Sequence, residues 1–341
     1  MIFLKDTLWL DDSNDALVII DQTKLPNEEV FLELKTTEEI ADAILRLCVR
    51  GAPAIGVAAA CGAYLAAKSA LHEEVIDFFA TVRERFSLLA ASRPTARNLF
   101  WALERMEAVL AENPDPGKAV LALKNEAEKI INEDIASCTA IGEYGSALLK
   151  DKMSILTHCN AGRLAAVRYG TALAPIYRAS EKGMRLKVYA DETRPLLQGA
   201  RLTAYELSSA GIDCTLLCDN MASGLMSKGK IDAVIVGGDR VAANGDTANK
   251  TGTLSVAIAA KHFGIPFYIA VPFSTIDPKC ASGDDIEIEQ RPATEVTTAW
   301  YSKPMAPNGI DVYNPAFDYV PAELITAIIT DKGVLYPPFN F

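Results

Sequence analysis

Cys159 is the first residue whose type and setting suggest chemistry. It stands in THCNAG (157–162), directly after an apolar run and before a stretch with a helical pattern. A cysteine there can serve as a nucleophile, a metal ligand, an acid or base, or a small core residue. Placement just before a helix N-terminus would make the thiol easier to ionise, whereas burial would oppose that change. The sequence leaves these roles open.

Asp239 is the second candidate. It follows Gly237 and Gly238, two glycines that would let a ligand approach the chain closely. Burial would hold its carboxyl protonated, and the residue would then act as an acid. Alternatively, Asp239 pairs with Arg240 or caps a helix.

Two motifs favour a phosphate group. Asn249 and Lys250 are predicted to open the helix after the fourth strand of a sheet, where free amides, the helix dipole and a lysine attract an anion. Arg50, Gly51 and Ala52 place backbone N–H groups and a cation at another helix start. Each motif alone is explained as well by solvated charges and chain turns. Together with a polar strand edge, they favour a small phosphorylated ligand.

The histidines argue against two other kinds of site. His158 and Cys159 are neighbours at a strand end, where their side chains would point to opposite faces, so a thiol hydrolase is disfavoured. The chain has 3 histidines, and His158-x-Asn160 lacks the spacing of zinc ligands. We therefore predict no metal.

Composition narrows the class of partner. The 341 residues carry a net charge of −11 and contain no block rich in lysine and arginine, so we expect neither a nucleic acid nor a membrane surface as partner. Residues 52–67 are apolar but too short and too rich in alanine for a good membrane span. The 7 cysteines form no CxxC pair, and no signal-peptide pattern opens the chain. These features predict a cytoplasmic protein with reduced thiols.

The elements that position these residues fall into two groups. Residues 1–130 predict an N-terminal domain with a small β-sheet and a helical bundle. FLKDTLWL and ALVIIDQ flank a DDSND turn as in a hairpin, and Thr36 and Glu39 form a capping-box pattern. The predicted helices cover residues 39–49, 54–70, 73–89, 97–111 and 118–150.

Residues 131–341 predict a C-terminal domain of a different kind. Apolar runs of about five residues alternate with helical stretches at 162–183, 195–211, 221–229 and 247–264. The alternation indicates a parallel sheet covered by helices on both faces, which is a doubly wound, Rossmann-like α/β domain. No G-x-G-x-x-G pattern occurs, so a dinucleotide is not indicated. The five predicted strands are 153–157, 186–190, 214–218, 233–237 and 267–271.

Ligands bind outside the carboxyl ends of the strands in such sheets. Polar or titratable residues follow every predicted strand, and that density is better explained by a site than by the polarity of loops. These residues are His158 to Asn160, Asp191 to Arg194, Asp219 and Asn220, Asp239 and Arg240, and Ser274 and Thr275.

Long motifs over nearly the whole chain resemble the methylthioribose-1-phosphate isomerase family, which is related to the regulatory subunits of translation initiation factor eIF2B. They are RGAPAIG (50–56), SRPTARNL (92–99), THCNAG (157–162), ETRPLLQGARLTAYEL (192–207), DNMA (219–222), GGDRVAANGDTANKTGT (237–253) and IPFYIAVPFSTID (265–277).

The resemblance implies an aldose–ketose isomerase of methionine salvage that converts a sugar 1-phosphate. It implies catalytic roles for Cys159 and Asp239, no metal or organic cofactor, and a homodimer. Related enzymes act on 5-deoxyribose 1-phosphate or ribose 1,5-bisphosphate, and translation-factor relatives are regulatory binding modules, so these alternatives stay open. The contacts to phosphate and sugar implied by the family fall on Arg50, Gly51, Ala52, Arg93, Gln198, Asn249 and Lys250.

Overall fold

The protein is described from a computed structural model, over residues 5–94 and 96–341. The fold is mixed α/β, as the sequence predicted, and the chain divides into two units. The N-terminal unit comprises residues 5–138 and Arg163–Gly170, and the C-terminal unit comprises Thr139–Gly162 and residues 171–341. The domain division at residue 130 stays a prediction, because packing alone does not tell which segments fold independently.

In the described part of the chain, an antiparallel three-stranded sheet opens the N-terminal unit: Leu8–Asp11 (β1), Ala16–Ile20 (β2) and Phe31–Leu34 (β3). β1 and β2 are the predicted hairpin, and the Asp11 carboxylate accepts the N–H of Ser13 in the turn (3.1 Å). The first residues of that predicted strand, Phe3 and Leu4, lie outside the described residues. β3 was not predicted.

The helices of this region confirm most of the predicted pattern. Thr36 and Glu39 cap each other's backbone N–H groups at 3.1 Å and start the first helix. The third helix begins at Phe78 rather than at residue 73, because Asp77 accepts the N–H of Ala80 there (3.1 Å). The helices are Thr37–Leu45 (α1), Ala52–His72 (α2), Phe78–Ala91 (α3), Arg97–Glu112 (α4) and Pro116–Ser146 (α5).

α2 is the apolar centre of the N-terminal unit. By length and composition this helix could cross a membrane, but 83% of its most apolar window is buried inside the protein. Alanines and glycines fill the window, and they let the neighbouring helices α3 and α4 pack closely against it. Its burial is that of a core helix.

Residues 163–170 belong to the N-terminal unit, where their backbone is bound. The Thr7 N–H, for example, donates to the Val167 carbonyl (2.9 Å). The prediction of one helix over 162–183 is therefore wrong in its first half, where only a short 3₁₀ turn forms at Arg163–Ala165 and other backbone groups bond to a distant segment. The α-helix begins only at Ala174.

Asp134 on α5 gives the N-terminal unit a pH-dependent stability. Its carboxylate accepts the N–H of Val167 (2.7 Å), and burial raises the pKa of the carboxyl to about 7, although the residue keeps some exposed surface. In the unfolded chain this group ionises near pH 4, at about 3.9. The folded state therefore binds the extra proton, and its stability falls as pH rises from about 4 to about 7.

We expect Asp134→Asn to be more stable than the wild type at pH 8, by about 1 to 2 kcal/mol. The amide still accepts the Val167 N–H but carries no buried charge. The full pKa shift would correspond to a larger difference in unfolding free energy, but solvent reaches the residue and reduces this difference. Urea unfolding at pH 5 and pH 8 measures the difference. A variant whose stability falls with pH as steeply as that of the wild type would contradict the assignment to Asp134.

The strands of the C-terminal unit include the five that the apolar runs predicted. In chain order they are Ser154–Thr157 (β4), Lys187–Asp191 (β5), Asp213–Leu217 (β6), Ala233–Val236 (β7), Arg240–Ala242 (β8), Thr247–Lys250 (β9), Phe267–Ala270 (β10), Ile276–Asp277 (β11), Phe317–Val320 (β12), Ala327–Thr330 (β13) and Gly333–Leu335 (β14).

The main sheet of this unit has the order β14-β13-β10-β7-β4-β5-β6 over the described residues. β14 pairs antiparallel with β13, and the other neighbouring pairs are parallel. The chain runs from β4 outward to β6 and then returns to β7 on the other side of β4. This reversal between β4 and β7 is a topological switch point, where ligands of doubly wound sheets bind.

The helices of the C-terminal unit are shorter than the sequence pattern predicted. The stretch predicted to be helical over 195–211 is helical from Gly199, beginning with a π-helical turn to Thr203. The α-helices are Ala174–Glu181 (α6), Ala204–Ser209 (α7), Ala222–Met226 (α8), Thr253–His262 (α9) and Thr294–Thr297 (α10).

A second sheet with the order β11-β8-β9-β12 was not predicted. It corrects the prediction that Asn249 and Lys250 open a helix, because both lie on β9. Gly245 takes a left-handed conformation (φ 92°) in the turn after β8, so the next residues fold back and pair with β8 and β12. α9 begins only after Gly252.

Candidate active site

Cys159 and Asp239 follow the two strands that flank the switch point. β4 and β7 pair in parallel, so their carboxyl ends lie side by side. Ala161 and Gly237 bring the two following segments into contact: a Cβ placed on Gly237 would lie 2.6 Å from the Ala161 Cβ. Only glycine allows this approach. The structure thus brings together the segments that carry the two predicted catalytic residues.

The backbone of Cys159 is held on both sides. Its N–H donates to the Thr193 hydroxyl (2.8 Å), and its carbonyl accepts from the Thr203 hydroxyl (2.7 Å). Cys159 has φ 66°, a left-handed conformation that costs a residue other than glycine about 1 to 2 kcal/mol. Such conformations persist where surrounding contacts enforce them, and they cluster at functional sites. These contacts fix the backbone at Cys159 and therefore the direction of its Cα–Cβ bond.

The element that carries Thr193 is anchored in turn. The Asp219 carboxylate accepts the N–H groups of Thr193 and Arg194, each at 2.7 Å. The hydroxyl of Thr193 donates to the carbonyl of Asp191 (3.0 Å). Thr193 itself has φ 63°. The end of β5 therefore forms a rigid support for Cys159.

A buried carboxylate supports the other side of the cysteine loop. Glu206 on α7 accepts hydrogen bonds from the Asn160 side-chain amide and from the Tyr177 hydroxyl, the latter at 2.8 Å. The Asn160 amide also donates to the Thr203 hydroxyl (3.1 Å). Glu206 is fully buried, and these donors satisfy the acceptor capacity that burial would otherwise leave open.

His158 is buried, and its contacts do not suit it to act as a general base for Cys159. Its Nδ1 lies 3.0 Å from the Asp191 carboxylate, and its Nε2 lies 3.0 Å from the Thr251 carbonyl. Both ring nitrogens therefore have partners other than Cys159. This arrangement does not support a Cys–His dyad at His158.

The charge state of His158 follows from its partners. Burial alone would lower its pKa, but the hydrogen bond and charge of Asp191, the charge of Asp219 and the Thr251 carbonyl together raise it. Burial also raises the pKa of Asp191, which by itself would favour a neutral carboxyl. We assign the proton to the imidazole, because acceptors face both of its nitrogens and only the charged ring donates from both.

His158, Asp191 and Asp219 also form the group that could hold a metal ion among the described residues, with ligand atoms within 4.8 Å of one another. The ring nitrogens of His158 and the Asp219 carboxylate already have the partners given above. These contacts favour a hydrogen-bonded network. The expectation that the reaction needs no metal stays a prediction.

Lys250 and Asn249 lie on β9, the strand that pairs with the segment of Asp239. The Asp239 N–H donates to the Ala248 carbonyl (2.8 Å). The Lys250 amine lies 4.3 Å from the centroid of the Phe317 ring, and the buried Asn249 side chain donates to the Thr253 hydroxyl (3.0 Å). The structure thus gives Lys250 and Asn249 fixed positions on the strand next to Asp239.

Gln198, a predicted contact to the sugar, carries a buried acceptor. The residue is buried, and its Oε1 has no hydrogen-bond partner within residues 5–94 and 96–341. A buried acceptor without a partner costs about 1 to 3 kcal/mol, and a ligand hydroxyl would remove that cost. Gln198 follows Leu197, another residue with a left-handed backbone (φ 58°).

The remaining predicted contacts lie in the N-terminal unit. Gly51 precedes α2 with φ 89°, and a Cβ there would lie 2.6 Å from Ala165. Arg50 is buried and Ala52 is the first residue of α2, so the predicted helix start is confirmed. Arg93 is half-buried between α3 and α4, and Thr95 of the same motif is outside the described residues. Contact of these residues with a ligand stays a prediction.

Comparisons with known proteins show the family to which the chain belongs. Residues 48–337 match the model of the initiation factor 2 subunit family. A methylthioribose-1-phosphate isomerase of Symbiobacterium thermophilum is 59% identical over 333 residues, which cover 97% of this chain and 93% of that protein. A 5-deoxyribose 1-phosphate isomerase of Clostridium botulinum strain Okra is 55% identical over 335 residues, covering 97% and 95%.

A solved structure agrees with these relatives. The crystal structure of 5-methylthioribose 1-phosphate isomerase from Pyrococcus horikoshii superposes with a TM-score of 0.90 at 41% identity, covering 98% of this chain and 94% of that one. Identity above 40% over nearly the full length indicates a shared family and not only a shared fold.

Proposed function

The chain belongs to the initiation factor 2 subunit family and, within it, to the methylthioribose-1-phosphate isomerases, and we propose that it converts S-methyl-5-thioribose 1-phosphate into S-methyl-5-thioribulose 1-phosphate. This is an aldose–ketose isomerisation. The observation that carries the proposal is the pairing of the Cys159 and Asp239 segments at the switch point.

The reaction has a particular difficulty, because the anomeric oxygen carries the phosphate and the ring cannot open to a free aldehyde. An acid must protonate the ring oxygen as its bond to C1 breaks. We assign this role to Asp239, whose backbone N–H is bonded to β9. Positioned acids contribute about 10²- to 10⁴-fold to such steps.

Cys159 then assists the transfer of hydrogen from C2 to C1. In one route its thiolate removes the C2 proton to give an enediol-type intermediate and returns that proton at C1, while the C2 hydroxyl gives its proton to the Asp239 carboxylate left by ring opening. In the other route C2 passes a hydride to C1 while its hydroxyl gives its proton to the same carboxylate, and Cys159 stabilises the transition state. Reaction in heavy water tests the proton-transfer route. Deuterium at C1 of the product supports proton transfer, and its absence fits a hydride shift or a shielded base.

We expect Lys250→Ala to raise KM for the sugar phosphate by about 10-fold or more, with a smaller effect on kcat. A lysine–phosphate hydrogen bond contributes about 1.5 to 3 kcal/mol to binding. Steady-state kinetics measure both constants, and Lys230→Ala, at an exposed lysine, is the matched control. An unchanged KM for Lys250→Ala would mean that Lys250 lies outside the site.

The group at C5 of the sugar needs a direct test, because relatives named for methylthioribose and for 5-deoxyribose are 59% and 55% identical to this chain. The experiment compares kcat/KM for methylthioribose 1-phosphate, 5-deoxyribose 1-phosphate and ribose 1,5-bisphosphate. We expect methylthioribose 1-phosphate to be preferred, by a factor of about 10 to 200, the range that one small apolar group gives.

The same experiment decides between an enzyme and a regulatory binding module like the translation-factor relatives. Turnover of 5-deoxyribose 1-phosphate alone would reassign the substrate within the same reaction. Turnover of none of the three sugars would favour the binding module. The presence of both Cys159 and Asp239 favours the enzyme.

A homodimer in the cytoplasm completes the proposal. All seven cysteines are free thiols, which supports a reducing compartment. Light scattering on the purified protein tests the homodimer, and a monomeric mass would overturn it.

A further inference from the structure

His158 and Asp191 close a ring of contacts around Cys159. The Asp191 side chain binds the imidazole of His158 (3.0 Å), and the Asp191 carbonyl accepts the Thr193 hydroxyl (3.0 Å). That hydroxyl accepts the N–H of Cys159 (2.8 Å), and Cys159 is joined to His158 by a peptide bond. His158 and Asp191 are both almost wholly buried, at 1% and 0% exposure. The ring fixes the left-handed backbone of Cys159.

The other edge of the imidazole contacts the turn after β9, at Thr251 and Gly252. Its Nε2 bonds to the Thr251 carbonyl (3.0 Å), and its Cε1 lies 2.8 Å from where a Cβ on Gly252 would stand. The Asp318 carboxylate also accepts the Gly252 N–H (2.7 Å). The turn is therefore held by both His158 and Asp318.

This turn is coupled directly to Lys250. The Thr253 hydroxyl, just past the turn, donates to the Lys250 carbonyl (2.6 Å) and accepts from the Asn249 side chain (3.0 Å). A displacement of the turn would therefore move both predicted phosphate contacts. The imidazole is the group that ties them to the cysteine loop.

We propose that His158 and Asp191 are a positioning pair that sets the distance between Lys250, which binds the phosphate, and Cys159, which acts at C1 and C2. The proposal rests on the isomerase function given above. Neither residue takes part in the chemistry, and both act through the groups they hold. A misplacement of about 1 Å between a binding group and a reacting group can cost about 10²-fold in rate.

Geometry and charge are separable at Asp191. Its Oδ1 is buried without a hydrogen-bond partner among the described residues, so the carboxylate uses one oxygen to hold the ring. In Asp191→Asn the amide can donate to Nδ1 while the neutral imidazole still donates from Nε2 to Thr251. The asparagine thus keeps the geometry and removes the charge, whereas Asp191→Ala removes both.

The experiment measures kcat/KM for methylthioribose 1-phosphate in His158→Gln, Asp191→Ala and Asp191→Asn. A glutamine can reach one of the two partners of His158 but not both. We expect His158→Gln and Asp191→Ala to lose about 10- to 100-fold, and Asp191→Asn to recover most of the loss. His262→Gln, at the exposed end of α9, is the matched control and keeps wild-type activity.

The activity of a double variant of His158 and Lys250 distinguishes a positioning role of His158 from a general loss of stability. We expect His158→Gln and Lys250→Ala together to lose at least about 5-fold less than the product of their separate losses, because the first change already displaces the lysine. The proposal would be overturned if Asp191→Asn were as inactive as Asp191→Ala. It would also be overturned if the loss in the double variant equalled the product of the two single losses. Absence of turnover in the wild type itself would instead refute the proposed isomerase function.

Discussion

Replacing Cys159 with alanine is expected to lower turnover of methylthioribose 1-phosphate by about 10²-fold or more, the scale of a lost acid–base group. The expectation follows from the support around the residue: two threonine hydroxyls hold the left-handed backbone that carries the thiol. A core cysteine would need no such fixation. The measurement is kcat at saturating substrate, with a thermal melt to confirm that the fold is kept.

Cys218→Ala is the matched control, because this exposed cysteine follows β6 at the same edge of the sheet. It is expected to keep wild-type kcat. Cys159→Ser adds a further distinction, since a hydroxyl keeps the size of the thiol but is a far weaker base. In the proton-transfer route the serine variant loses nearly as much as alanine. Turnover preserved in Cys159→Ala would sink the catalytic assignment.

The main sheet could be predicted because buried parallel strands appear in a sequence as short unbroken apolar runs. Residues 233–236 are buried at every position, and no alternation is required of a strand covered on both faces. The carboxyl ends of such strands meet at one edge whatever the intervening helices do. The strand pattern therefore predicted that the segments after β4 and β7 lie at one edge, whereas their adjacency follows from the observed strand order.

The parts that could not be predicted depend on pairing with distant residues. Lys250 belongs to a strand because its neighbours bond to β12, more than sixty residues later in the chain. The only local signal was the pair Asn244 and Gly245, which is typical of a hairpin turn. The segment after Cys159 forms only a 3₁₀ turn at Arg163–Ala165, where the Arg163 carbonyl accepts the hydroxyl of Thr7, far earlier in the sequence.

The sequence gives even less indication of the residues that support Cys159. Thr203 lies inside a helical pattern, and nothing local indicates that its hydroxyl reaches back 44 positions to the carbonyl of Cys159. His158 was considered only as a partner for the neighbouring thiol and as a zinc ligand. Its actual contacts, Asp191 and Thr251, lie on two other elements of the unit. Residue type and strand-end position thus suggest candidate reacting groups, but they do not indicate the residues that hold them.

Replacing Asp239 with asparagine is expected to lower kcat by about 10²-fold or more while KM changes little. Asparagine has the size of aspartate and keeps the backbone bond to Ala248, but it cannot give a proton to the ring oxygen. An acid must be protonated to act, so wild-type kcat should fall as pH rises through the ionisation of this group in the substrate complex. The variant should lack that limb of the pH profile.

Asp232→Asn provides the control, because Asp232 precedes β7 at the opposite end of the same strand and its carboxylate accepts the Ser154 N–H (2.7 Å), as an amide oxygen also would. It should keep both kcat and the high-pH limb. If Asp239→Asn stays within about threefold of wild-type kcat, another group opens the ring. If kcat falls but the limb persists, Asp239 orients the sugar and a different acid supplies the proton, since a group that has been removed cannot titrate.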